Sequence, residues 1–186
     1  MNARRLLRRL SVGFLAGASA ACALAAPKPL ALELVTLTKL PEREVEAIRF
    51  MMKVTPLALP ASTRQCMLSS SGSAFTDYFA NVFSRGFTDS ELHEAVAFFS
   101  STEGTSAVAA LRAHEKSTYD AAVQRKSVDS QEPSYPPATK QALDEFGRTA
   151  AGGKFDRASL APVPGAVDES TADLRSRILS ECLRAP

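Results

Sequence analysis

Phe87-Thr88-Asp89-Ser90-Glu91-Leu92-His93-Glu94-Ala95-Val96-Ala97-Phe98-Phe99-Ser100-Ser101-Thr102-Glu103-Gly104 is the stretch that decides the fold class. Thr88-x-x-Glu91 has the spacing of a capping box, in which the threonine oxygen and the glutamate carboxylate each satisfy a backbone N–H of the first helical turn. Phe87 and Leu92 stand at the two positions of a hydrophobic staple, and Gly86 suits the left-handed residue that ends a preceding helix. Leu92, Val96 and Phe99 then recur at helical spacing. Ser100, Ser101 and Gly104 interrupt that face, so a kink or sharp corner is expected there, with helix resuming through Val108, Leu111, Tyr119 and Val123.

The same periodicity extends outward on both sides. Upstream, Phe75, Tyr78, Phe79, Val82 and Phe83 form an i, i+3, i+4, i+7, i+8 stripe, which is a core-facing helix face. Ser62-x-x-Gln65 is a possible capping box for that helix. An earlier helix is expected after Leu40, with Pro41 in its first turn, Val45, Ile48 and Met52 on one face, and a stop before Pro56. Leu30-Ala31-Leu32-Glu33-Leu34 reads as a short first helix. Downstream, residues 127–137 form a Pro/Ser linker. A short helix follows with Leu143 and Phe146 inward, ended by Gly152-Gly153. A second irregular stretch with Pro162, Pro164 and Gly165 leads to a last helix whose face is Leu174, Ile178 and Cys182. Convincing strand alternation is missing. The fold class is therefore all-α, a small bundle of about five to six helices with a Pro/Gly-rich C-terminal third.

The N-terminus carries a different message. Four arginines and no acid precede an apolar run from Leu10 to Ala25, and Ala23-Leu24-Ala25 fits a small-x-small cleavage pattern. This is the order of a secretory signal peptide over residues 1–25, leaving one domain over 26–186 with periplasmic or secreted location. A span needs ~20 predominantly apolar residues, so no stable membrane crossing is expected after cleavage. Cys22 after Ser19-Ala20-Ala21 gives a poorer, lipoprotein-type alternative, and the arginine pairs a twin-arginine one.

Cleavage also changes the charge. The chain holds 22 basic and 20 acidic residues; without the four signal arginines, 18 face 20, a net of −2. That removes any support for nucleic-acid or membrane-surface binding. It leaves two cysteines, Cys66 and Cys182, which an oxidising compartment favours as a disulfide over two separate buried thiols.

Catalytic and cofactor patterns fail one by one. Ser71-Gly72-Ser73 is not a nucleophile elbow. Gly147-Arg-Thr-Ala-Ala-Gly152-Gly153-Lys154 has one glycine too many for a P-loop, and Phe155 replaces the magnesium-binding Ser or Thr. His93-Glu94 and His114-Glu115 begin like zinc-protease motifs, but Ala97 and Thr118 stand where the second histidine is needed. No cofactor or metal is expected. A short echo exists between Val96-x-x-Phe99-x-x-Thr102 and Leu143-x-x-Phe146-x-x-Thr149, each with a glycine close behind, as an internal duplication would leave.

The segment Phe87 to Gly104 resembles the family catalogued as domain of unknown function 2059, small exported helical bacterial proteins. Its signature is an aromatic before Thr or Ser, then Glu-Leu, then Phe-Tyr-x-Ser-x-x-Gly; Phe87, Glu91, Leu92, Phe98, Ser101 and Gly104 match, while Phe99 replaces the tyrosine. The resemblance implies a fold and a location but no activity. The leading expectation is a non-enzymatic protein that binds another envelope protein or itself through Phe98, Ser101 and Gly104. Coverage of Phe98 by Leu160 and Val163 of the C-terminal third is the competing arrangement. An envelope hydrolase using carboxylates, or a binder of small apolar ligands between helices, are the rivals. A polar cleft with facing carboxylates would favour the hydrolase, an enclosed apolar cavity the ligand binder, and an exposed apolar patch the interaction module.

Overall fold

Helical spacing of the apolar residues becomes helix throughout the computed structural model, which describes residues 27–55, 59–127, 132–165 and 167–185. The signal-peptide segment, with Cys22 and the cleavage site at Ala26, lies outside the described residues, as do positions 128–131 of the linker. Seven α-helices follow in order: α1 Pro29–Thr38, α2 Leu40–Val54, α3 Ala61–Gly86, α4 Asp89–Ser100, α5 Thr102–Val123, α6 Pro137–Phe146 and α7 Thr171–Arg184. The described residues contain no strand, only an isolated antiparallel bridge between Phe155 and Pro162. No described helix is long and apolar enough to cross a membrane.

Among the described residues the count exceeds the expected five to six because the corner expected after Phe99 is a full break: Ser101 is extended and separates α4 from α5. Lys39 takes a left-handed conformation (φ 55°). That single residue turns the chain between α1 and α2, and Pro41 then sits in α2's first turn where its missing N–H costs nothing.

α3 is the central element. α1, α2 and α7 all pack on it, α1 also packs on α4, and α6 lies on α5. Phe75, Phe79, Val82 and Phe83 of its stripe are buried, and Tyr78 is half-buried. Phe155, which follows the glycine-rich turn, is an unexpected centre of the core. Its ring lies 5.2–5.9 Å from those of Phe83, Phe87, Phe99 and Phe146, separations at which aromatic pairs add to simple burial. Val123, expected on the core face of α5, is exposed; the helix has run beyond its neighbours there.

Three expected helix signals are corrected. Ser62 is not a cap: α3 already begins at Ala61 after Pro60, with no side-chain cap bond. Gly86 is helical, and the chain leaves the helix at Phe87 in an extended conformation. The short helix α6 ends at Phe146, before Gly152 and Gly153, which belong to a separate 3-10 turn.

Those corrections expose a real repetition, in a register one residue away from the one suggested by the sequence. Phe98-x-x-Ser101-x-x-Gly104 and Phe146-x-x-Thr149-x-x-Gly152 build the same corner. The N–H of Ser101 or Thr149 donates to the phenylalanine carbonyl at 3.0 and 2.9 Å. The N–H of Gly104 or Gly152 donates to the Ser or Thr hydroxyl at 3.0 Å in both. The two phenylalanine rings stack face to face, with centroids 4.1 Å apart and planes 3° from parallel.

Candidate functional site

The expected site residues divide into three groups. Thr88 and Glu91 form the capping box as expected. Glu91 also receives the Lys154 ammonium at 2.7 Å, and Lys154 donates to the Gly86 carbonyl at 2.8 Å. The lysine of the failed P-loop is thus a tie between the C-terminal third and the α3–α4 corner. The Lys154 hydrogen bond first, then the Thr88 backbone N–H, hold the Glu91 carboxyl below its usual range. A carboxyl so depressed contributes its stability above the ordinary carboxylate range and loses it as pH falls through its own lowered value. Thr88→Ala should cost about 1 kcal/mol in urea denaturation; an unchanged midpoint would reject the capping role.

Cys66 and Cys182 are joined in a disulfide between α3 and α7, Cα atoms 5.6 Å apart. Phe98, Ser101 and Gly104 do not form an open surface. α6 covers Phe98 through Phe146, the Ser101 hydroxyl is spent on Gly104, and Gly104 is buried. Of the covering residues expected, Leu160 is buried in the core and Val163 is exposed at 44%. Phe146 does the covering instead. His93 is exposed, His114 is half-buried, and no group of three metal-ligating side chains occurs among the described residues.

Chemistry gathers elsewhere, in a cleft of about 520 Å³ walled by α2, α3, α5, the start of α7 and the chain from Asp156 to Thr171. Arg43 and Glu44, neighbours on α2, pair with different helices. The Arg43 guanidinium forks onto Glu115 of α5, with Nε 2.9 Å from Oε2, and its Nη1 donates to the Ser159 carbonyl at 2.6 Å. Glu44 accepts from Arg175 Nε of α7 at 2.9 Å. Only 11% of the Arg43 side chain is exposed, so this fork is largely desolvated and removing one partner would strand a buried charge.

No family model, curated protein or solved structure matches this chain.

The wall between the cleft and the phenylalanine core is a tight loop. Asp156 N–H donates to the Ala161 carbonyl at 2.8 Å, and Asp156 Oδ2 accepts from the Ser159 N–H at 3.0 Å. Leu160 is held at φ 49° with its side chain buried. That conformation costs a branched residue roughly 1–2 kcal/mol, which the hydrogen bonds and burial offset. The loop thereby points Leu160 inward and Ser159 toward Arg43.

Two tyrosines line the cleft, Tyr78 from α3 and Tyr119 from α5. Burial raises the pKa of the Tyr78 hydroxyl, and the carboxylates of Glu169, Glu44 and Asp173 raise it further. Burial likewise raises Tyr119, with Glu115 and Glu44 adding and Arg43 and Arg175 opposing. The sequence marked Tyr78 and Tyr119 as core residues and passed over both arginines. Their partners are 72 and 131 residues away, so no local spacing could reveal them.

Proposed function

We propose that this is an exported, non-catalytic binding protein that holds a small cationic ligand in the Arg43–Glu115 cleft. The carrying observation is the charge of the lining. Glu44, Glu115, Asp156, Asp168 and Glu169 outnumber Arg43 and Arg175; Glu44 and Glu115 pair with those arginines and Glu169 with Arg177, which leaves Asp156 and Asp168 without an ion-pair partner among the described residues. A concave site with a surplus of negative charge suits an amine, through ion pairing. The raised Tyr78 pKa is consistent with that surplus. Occupied carboxylates favour binding over hydrolysis: the oxygens of Glu44 and Glu115 already accept guanidinium hydrogens.

Export rests on the sequence order of residues 1–25 and is supported by the disulfide, which an oxidising compartment preserves. Membership of the family catalogued as domain of unknown function 2059 is part of the same proposal, resting on Phe87 to Gly104.

Calorimetric titration with 1,4-diaminobutane and with succinate, probes of equal chain length and opposite charge, tests the ligand class. The diamine should bind and the diacid should not. Asp168→Asn, at an exposed carboxylate of the lining, should weaken the diamine about three- to tenfold, with a smaller difference at high salt. Equal binding of both probes, or of neither, would sink the reading.

A further inference from the structure

Three of the chain's four methionines, all but Met1, line one groove. It is a separate concavity of about 300 Å³ between the C-terminal half of α2, the start of α3 and α7, and it shares only Arg175 with the charged cleft. Ile48, Met51, Met52, Met67 and Leu179 give it an apolar lining. The groove exists because α2 and α7 both pack on α3 without packing closely on each other. Its two walls on α3 and α7 are fastened by Cys66–Cys182, and Cys66 directly precedes Met67. The crosslink therefore fixes α7 on α3 along one side of the groove, which lowers the cost of ordering a ligand there.

Charge selects the occupant. The described lining carries two arginines, Arg64 and Arg175, and no carboxylate. Arg175 is engaged by Glu44, while Arg64 is exposed and forms no ion pair among the described residues. Methionine side chains are unbranched and polarizable and adapt to an irregular apolar guest. A volume at the small end of ligand sites suits one flexible chain.

We infer that this groove binds a single-chain anionic amphiphile, a fatty-acid carboxylate, with its chain among the methionines and its head at Arg64. Apart from Arg175 the site is distinct from the cation cleft. The natural assay uses the disulfide-bonded chain and dodecanoate below its micelle concentration, followed by the methionine methyl signals in NMR. Dodecanoate should shift the Met51, Met52 and Met67 methyls at one equivalent and bind at least tenfold tighter than dodecyl maltoside, which has the same chain and a neutral head. Arg64→Gln should erase that preference. Met51→Glu, which sets a carboxylate at the exposed rim, should abolish binding and leave stability and diamine binding unchanged. Equal binding of the two amphiphiles overturns the inference, as do unmoved methionine signals. Dimerisation that Met51→Glu removes would overturn it too, by assigning the groove to a second copy of the chain.

Discussion

Opening the Cys66–Cys182 bridge is expected to lower the unfolding free energy by about 4–5 kcal/mol, the chain-entropy figure for a loop of this size. The bonded residues are 116 apart, so the oxidised unfolded chain is denied most of its long-range freedom. The effect should also be local. α7 rests on α3 and on the Arg175–Glu44 fork, and Leu174, Ile178 and Cys182 are its buried residues. Once the sulfur link is gone, α7 amides should exchange with solvent faster than those of α3. Urea denaturation of the oxidised protein and of a Cys66→Ala, Cys182→Ala double variant gives the magnitude, and the double variant should also show a larger denaturant slope. A loss below 1 kcal/mol would mean that the bridge merely decorates contacts already sufficient to hold α7.

Gly104→Ala and Gly152→Ala form the second case. A Cβ placed on Gly104 would overlap the Phe98 carbonyl oxygen, and one on Gly152 would overlap that of Phe146. The obstacle in both is backbone, which cannot rotate aside as a side chain can. Relief means spreading a corner that also seats the Phe98–Phe146 stack, so each substitution should cost about 3 kcal/mol, the upper part of the overpacking range. Gly72→Ala is the matched control. It lies inside α3 with nothing within 4 Å of an added Cβ, and should stabilise by ~0.5–1 kcal/mol. If Gly104→Ala folds as stably as wild type, the close approach at the corner is not a constraint.

Most local signals were legible, Ser62, Gly86 and the Gly152-Gly153 stop excepted, and most distant ones were not. Thr88, Glu91, Phe87 and Leu92 declare the start of α4 because each acts within one helical turn, and the α3 stripe is periodic over its whole length. Pro56 marks the end of α2 for the same reason. Lys39 gave no such sign, since a lysine in the left-handed region is set by the packing of α1 and α2, and nothing in its chemistry asks for it. Phe155 looked like a spoiled phosphate loop and is a hub of the core, a role visible only once α6 is folded back. Phe98 illustrates the same gap: a second aromatic beside Phe99 signals that something covers it, without saying that Phe146 is the cover. The cleft was hidden most completely, because its ion pairs join α2 to α5 and α7 across long stretches of chain. Cys66 and Cys182 are the exception among distant pairs; with so few thiols, chemistry itself limited the choice.

The two stacked corners have a consequence for how such a chain can change over time. Each fixes the distance along the chain from phenylalanine to glycine, since one residue more or fewer would move the Ser or Thr hydroxyl away from the glycine N–H it accepts. Insertions and deletions are therefore forbidden inside 98–104 and 146–152. The helix surfaces around them are free to drift in composition. A descendant could lose nearly all recognisable identity and still carry Phe-x-x-Ser/Thr-x-x-Gly twice, so spacing, more than residue identity, is the trace by which distant kin of this fold would be known.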